Sequence, residues 1–434
     1  MEKRVAFYTL GCKVNQYETE AMIELFLKNN YEIVSEEDFA DVYVINTCTV
    51  TNLSDKKSRQ FIRRCRGKNE NAVIAVVGCY SQVSPEEVAK IEEVDVILGT
   101  DNRSKIVEIC EEFIQNKNRV NLVSDIMKIR NFEEIGIEEV EGKTRAFLKI
   151  QDGCNQYCSY CIIPYARGSI RSRELDNIVM EVERLAKNGF KEVVLTGIHI
   201  SSYGKDLGTE GLIEVIERIN RVNGIERIRL GSLEPTLVTD NFMERLSKLD
   251  KLCNHFHLSL QSGSDTVLKR MNRKYTSSEY REIVKIIRGH MDNVAFTTDI
   301  IVGFPGETEE EFKETFDFIK EIGFSKVHVF QYSPRKGTPA AKMKEQINGN
   351  IKHDRSKKLI ELSEYLTKEF NKMFIGKDMD VLFEEKSKLK KGYIEGYTTN
   401  YIRVLAPGDD NLEGQIQSVN IECLHEDSLI GNMR

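Results

Sequence analysis

The chain has 434 residues, 62 Lys and Arg against 69 Asp and Glu, and a net charge of −7, a balance that argues against a nonspecific nucleic-acid coat but leaves room for a local basic surface. At 40% hydrophobic and 30% charged residues it reads as a globular protein of two to four domains. No apolar run approaches the ~20 residues that span a bilayer, and the first residues lack the apolar core and cleavage site of a signal peptide, so the expectation is a cytoplasmic protein with no membrane partner.

Taken in chain order, residues 1–115 alternate short β-branched runs at 5–10, 42–46, 73–77 and 94–98 with helical patterns such as 18–28. This is the rhythm of an open, mostly parallel α/β sheet. Residues 56–66 within it are rich in Lys and Arg, readable as an RNA-facing patch or as a solvated helix face. A connecting stretch at 116–144 has mixed charge and no strong pattern. From 140 to 370 the α/β rhythm restarts, with strand patterns at 147–150, 193–196, 227–231, 256–260, 296–302 and 327–330. Helical patterns at 178–187, 212–221, 278–288 and 308–321 separate them. Six β/α units predict a partial (β/α)6 barrel, short of eight-unit closure. An amphipathic helix at 354–374 ends this module. Residues 373–434 hold strand patterns at 380–384, 391–397, 401–405 and 414–422, which predict a small β-barrel of a kind that binds RNA. It is more acidic than basic, so Lys386, Lys388, Lys390 and Lys391 are its candidate RNA contacts, with an exposed solubilising hairpin as the alternative.

Ten cysteines in a reducing compartment point to metal or cluster ligation, redox chemistry or burial as small apolar side chains, not to disulfides. Cys154, Cys158 and Cys161 follow the first barrel strand in a C-x3-C-x2-C loop. Three thiolates on a [4Fe–4S] cluster leave one iron open; a zinc site needs a fourth ligand, and none is close in sequence. Cys12, Cys48 and Cys79 each stand just past a predicted strand. In a parallel sheet such ends share one edge, where ligands bind, and glycine precedes Cys12 and Cys79. These cysteines form a second three-thiol site or are strand-end core residues. Cys65, Cys110, Cys253 and Cys423 read as structural, with Cys65 at the surface of the basic patch.

The C-x3-C-x-aromatic-C loop, with Tyr160 as its aromatic, resembles the radical S-adenosylmethionine (SAM) superfamily. The segments Thr9-Leu10-Gly11-Cys12-Lys13-Val14-Asn15-Gln16-Tyr17-Glu18, Asn46-Thr47-Cys48-Thr49-Val50-Thr51 and Gly78-Cys79-Tyr80 are similar to the N-terminal domain of the methylthiotransferases. So is the stretch from Gln151-Asp152-Gly153-Cys154 through Ile163-Pro164-Tyr165-Ala166-Arg167-Gly168. The C-terminal module resembles the TRAM domain, and the resemblance covers essentially the whole chain. It implies two [4Fe–4S] clusters. One on Cys154, Cys158 and Cys161 binds SAM at its open iron and releases a deoxyadenosyl radical. An auxiliary one on Cys12, Cys48 and Cys79 holds the sulfur that a second SAM methylates. The implied partners are a tRNA anticodon stem-loop and an electron donor such as flavodoxin or ferredoxin, with a monomer as the default. The motif Gly11-Cys12-Lys13-Val14-Asn15-Gln16 resembles the MtaB type, which acts on N6-threonylcarbamoyladenosine at position 37, 3′ of the anticodon. The isopentenyladenosine enzymes tend to show Gly-Cys-Gln-Met-Asn there, and the ribosomal-protein aspartate enzymes Gly-Cys-Pro-Lys-Asn. Both remain alternatives, as does a nonenzymatic iron–sulfur RNA-binding protein.

Barrel strand ends hold the cofactor in such folds. The resemblance places the SAM amino group at Thr196 and Gly197. Glu234 after the third strand is a candidate for a SAM polar group, and Gln261 after the fourth for the pocket wall. Asp299, Val302 and Gly303 lie at the fifth, its apolar half against adenine. No acid or base is assigned. Arg167, Arg171 and Arg173 either anchor phosphate or carboxylate or pair with barrel carboxylates. His255 and His257 point one way on a strand and read as packing rather than ligation. Thr308 to Glu311 reads as a capping box.

Overall fold

The computed structural model describes residues 3–137 and 144–434. The expected start of the second module, residue 140, lies outside the described residues. Among them no helix is long and apolar enough to cross a membrane.

The first module is a sheet of β1 (Lys3–Thr9), β2 (Tyr31–Val34), β3 (Val42–Thr47), β4 (Val73–Gly78), β5 (Val96–Ile97) and β6 (Val120–Asn121), in the order β2-β1-β3-β4-β5-β6. Every neighbouring pair is parallel. Helices cover both faces, so β3 and β4 are buried along their whole length, which accounts for their unbroken Val and Ile runs. The sheet runs past the boundary expected at residue 115. Val120 donates to the Asp95 carbonyl (3.0 Å) and Leu122 to that of Ile97 (2.9 Å), a two-residue strand too short to leave a pattern. β2 was also unpatterned, and the strand expected at 94–98 shrinks to two residues.

The second module contains β7 (Arg145–Asp152), β8 (Arg171–Ser172), β9 (Glu192–Gly197), β10 (Arg227–Leu230), β11 (Ser232–Leu233), β12 (His255–Leu258), β13 (Ala295–Val302) and β14 (Lys326–Gln331). The six expected strands are all present. They bond as two arcs, β10-β9-β7-β8 and β11-β12-β13-β14. A bridge from Ile228 to Leu252 and a bond from Cys253 N to Ile228 O (2.9 Å) join the arcs. β7 and β14 do not pair, so the barrel stays open on one side, and the helix Lys13–Lys28 of the first module packs on β7 and β9. Leu148, Ile150, Leu195, Phe256 and Phe296 belong to the barrel core. Thr308 and Glu311 form the capping box, at the start of the helix Glu309–Ile322.

The helix Gly349–Lys372 leads to a closed barrel of β15 (Asp378–Lys386), β16 (Tyr393–Thr398), β17 (Arg403–Pro407), β18 (Ile416–His425) and β19 (Ser428–Met433), in the order β15-β16-β17-β19-β18. β19 was not anticipated. It pairs parallel with β17 and antiparallel with β18 and so closes the ring.

Candidate active site between three modules

β1, β3 and β4 are parallel neighbours, and Cys12, Cys48 and Cys79 stand just past their C-terminal ends. Gly11 has φ +118°, and a Cβ there would meet Cys48 Cβ at 3.0 Å and Sγ at 3.2 Å; glycine alone lets the two loops lie together. Asn15 Nδ2 donates to the carbonyls of Leu10 (2.7 Å) and Thr47 (3.0 Å). The Thr47 hydroxyl donates to the Val77 carbonyl (2.6 Å) and accepts from Tyr80 N (3.2 Å). All three cysteine loops are thereby tied to one another. Burial pushes the Cys79 thiol up to about 12, with Cys48 and Cys12 adding and Arg167 opposing. Arg167 Nε donates to Cys79 Sγ at 3.2 Å.

The second triad sits at the end of β7. Gln156 N donates to Cys154 Sγ (3.4 Å) and Cys161 N to the Cys158 carbonyl (3.0 Å). Burial pushes Cys154 up to about 11 and Cys161 to about 12. Arg273 donates to Cys158 Sγ (3.3 Å) and to Glu234 Oε2 (2.7 Å), and His199 Nε2 stands 3.7 Å from the same carboxylate oxygen. Burial opposes the charge of Glu234, but His199 and Arg273 hold its carboxyl below the usual range. Tyr160 packs with Val267, Met271, Phe304 and Tyr332. Gln261 has φ +71° and its N–H donates to the Asp299 carbonyl (2.8 Å). Val302 is buried. Gly303 permits a close approach, but by Lys352, whose Cγ would lie 2.3 Å from a Cβ there.

Among the described residues, no three His, Cys, Asp or Glu side chains converge on a point suited to a single metal ion. Each triad instead offers three thiols and one guanidinium that donates to sulfur. That set fits an iron–sulfur cluster, whose thiolates bind separate irons and whose net charge is negative.

A cavity of about 760 Å³ draws its wall from all three modules. Cys12 and Lys13 come from the first. Thr196, Gly197, His255, His257, Asp299 and His328 come from the second, and Asn400, Tyr401 and Arg403 from the third. Tyr160, Glu234, Gln261, Val302 and Gly303 lie outside this wall. His255 and His257 each place a ring nitrogen 3.0 Å from Thr297 Oγ1, and His257 Nε2 is 3.3 Å from Asp299. Burial, with Arg229 and His257 adding, holds His255 well below the usual imidazole range. Tyr401 has φ +65°, and the Arg229 guanidinium lies 4.4 Å from its ring centre.

The arginines after the Cys154–Cys161 loop are paired with carboxylates. Arg167 binds Glu18, as do Arg103 and Lys149 (2.7 Å). Asp152 receives Lys149 (2.6 Å), Arg167 (3.4 Å) and Arg171 (3.6 Å). Arg173 binds Glu134 (2.7 Å) and Glu181 (2.5 Å). In the basic patch Lys56, Lys57, Arg63 and Arg64 are exposed, but Arg64 pairs with Glu37 and Arg66 with Asp95 (2.7 Å). Cys65 is fully buried, not exposed, because it lies on the apolar face of the helix Asn52–Lys68 with Phe61 and Ile62.

A model of the Radical SAM superfamily matches residues 148–319, and one described as uncharacterized protein family UPF0004 matches residues 4–99. The threonylcarbamoyladenosine tRNA methylthiotransferase MtaB of Bacillus subtilis (strain 168) is 46% identical over 420 residues, 96% of this chain and 93% of that protein. The chain belongs to the radical SAM methylthiotransferase family. The tRNA-2-methylthio-N(6)-dimethylallyladenosine synthase of Clostridium botulinum (strain Okra / Type B1) is also similar, 37% identical over 434 residues, 98% of this chain and 95% of that one. A solved structure of the radical SAM methyltransferase TsrM from Kitasatospora setae aligns with TM-score 0.59 at 16% identity, over 79% of this chain and 77% of that chain, and shows a shared fold. In this methylthiotransferase, sequence reasoning missed Arg273, the Glu18 network, His328 and Tyr401. Their partners lie far away in the chain. The one local hint was Glu18, a carboxylate on the buried face of an N-terminal helix.

Proposed function

We propose that this radical SAM enzyme replaces the C2 hydrogen of N6-threonylcarbamoyladenosine at position 37 of tRNA with a methylthio group. The observation that carries the reading is the shared cavity. Cys12 of one triad and Thr196, Gly197 and Asp299 of the barrel face the same space, which is large enough for a substituted purine. When bound, the two [4Fe–4S] clusters and SAM supply the radical and sulfur chemistry that no side chain here provides.

Cys154, Cys158 and Cys161 would hold the SAM-binding cluster and Cys12, Cys48 and Cys79 the auxiliary one. Arg273 and Arg167 neutralise thiolate charge at the respective sites. Glu234, held by the same Arg273 that donates to Cys158, and Thr196, Gly197 and Gln261 at other strand ends would orient SAM, with Tyr160, Asp299, Val302 and Gly303 shaping that end of the barrel. Residues 1–115 form the auxiliary-cluster module, extended to β6, residues 140–370 the radical SAM core, and residues 373–434 the RNA-binding module. The partners on this reading are the tRNA anticodon stem-loop and an electron donor of the flavodoxin or ferredoxin class. The enzyme works as a cytoplasmic monomer.

Mass spectrometry of tRNA nucleosides from cells with and without the gene tests the substrate. The expected result is loss of 2-methylthio-N6-threonylcarbamoyladenosine alone. Loss of the isopentenyl counterpart instead would reassign the substrate, as the dimethylallyladenosine relatives would have it.

A further inference from the structure

Lys13 follows Cys12 directly and lines the cavity. Its ammonium lies 5.8 Å from the ring centre of Phe147 and 6.0 Å from that of Tyr401. Arg229 and Arg145 crowd the same Tyr401 ring at 4.4 and 5.4 Å. Those two are neutralised, Arg229 by Glu192 (2.6 Å) and Arg145 by Glu384 (2.6 Å). The carboxylates of the cavity wall are engaged as well, Asp299 with His257 (3.3 Å) and Asp427 with Arg403 (2.7 Å). Among the described residues, no carboxylate stands within ion-pair distance of Lys13.

A cation with no carboxylate partner among the described residues, set near two aromatic rings and beside two other cations, is not accounted for by the ion pairs of the fold. The ring faces compensate it only in part at these distances. A neutral side chain of similar length would pack on Phe147 and Tyr401 without that penalty. The arrangement suits an anion that enters with the substrate. We propose that Lys13 receives the carboxylate of the threonyl substituent and so sets the choice of modified nucleoside. This rests on the substrate assigned above, whose carboxylate adenosine and isopentenyladenosine lack. The position next to Cys12 places the receptor beside the auxiliary triad, where the purine must lie for its carbon to meet sulfur.

The test is equilibrium binding of synthetic anticodon stem-loops to the cluster-loaded protein. Position 37 carries threonylcarbamoyladenosine, its carboxyl methyl ester, isopentenyladenosine or adenosine. The wild-type protein should bind the free acid at least about tenfold tighter than the ester, the range of one charge-assisted hydrogen bond. Lys13→Gln should bind acid and ester alike, and Lys13→Arg should restore the preference. The ester comparison uses the unaltered protein, so a folding or cluster defect in the variant cannot imitate it. If Lys13→Gln still prefers the acid, or weakens all four stem-loops equally as a phosphate contact would, the inference is overturned. If the wild-type protein shows no preference for the acid while cells lose the threonylcarbamoyl product, the receptor assignment fails and the substrate stands. If cells lose the isopentenyl product, both fail.

Discussion

Arg273 touches the Cys158 thiol and the buried Glu234 carboxylate at once, through two nitrogens of one guanidinium. Lysine carries a single point charge and cannot reproduce that fork. Replacing Arg273 with Met leaves Glu234 buried with only His199 near it, and breaking a buried pair in this way costs about 3–5 kcal/mol. The expected outcome is a matching fall in the urea midpoint of the apoprotein and at least a tenfold loss of SAM affinity by calorimetry. The auxiliary-cluster spectrum should remain. Unchanged SAM affinity in a folded variant would remove Glu234 and Arg273 from the SAM site.

The helix Lys13–Lys28 is the element on which two modules meet. It begins beside Cys12, and one turn on it presents Glu18 to Arg103, Lys149 and Arg167. Burial alone would raise the Glu18 carboxyl, but Arg103, Arg167 and Lys149 overcome it and hold it far below the usual range; Asp152 is depressed in the same manner by Lys149, Arg167 and Arg171. A carboxyl lowered on folding contributes stability that is present above its unfolded value near ~4 and is lost as pH falls through the folded value. Stability should therefore hold down to about pH 5 and decline below about pH 4. Glu18→Gln should cost about 3–5 kcal/mol at neutral pH and flatten the acid limb of the denaturation profile; parallel profiles for the two proteins would refute the network's role. Little of this was legible in the sequence. Strand-end cysteines could be read because parallel strands put their ends on one edge. The six barrel strands could be read from short β-branched or alternating patterns that recur between helical ones. Arg167 could be found but not assigned, because its partners Glu18 and Cys79 come from another module. β2, β6, β8, β11 and β19 were missed because short or terminal strands are specified by the edge they dock on, not by their own pattern.

The three modules form one body rather than beads. Arg227 donates to the carbonyls of Tyr397 (2.8 Å) and Asp380 (3.0 Å), Arg229 to those of Thr399 (2.9 Å) and Thr398 (3.1 Å), and Arg145 binds Glu384. Ending the chain after Lys372 strips these guanidinium groups of their acceptors and exposes Phe370, which packs in the core of the small barrel. Such a truncation should lower the thermal midpoint by several degrees and promote aggregation, not merely weaken RNA binding; an unchanged midpoint by calorimetry would show the last module to be a dispensable appendage. The Glu18–Arg167 pair spans 149 positions, and that separation has a consequence in time. At ~5–20 residues per second of synthesis, about 7 to 30 seconds pass between the synthesis of the carboxylate and that of its guanidinium partner. Until then Glu18 has Arg103 of its own module as a partner, but Cys79 lacks the guanidinium that donates to it, so the cysteine edge is completed only after the Cys154–Cys161 loop has emerged. A ligand of that edge that needs the Arg167 guanidinium must wait until the second module has been made.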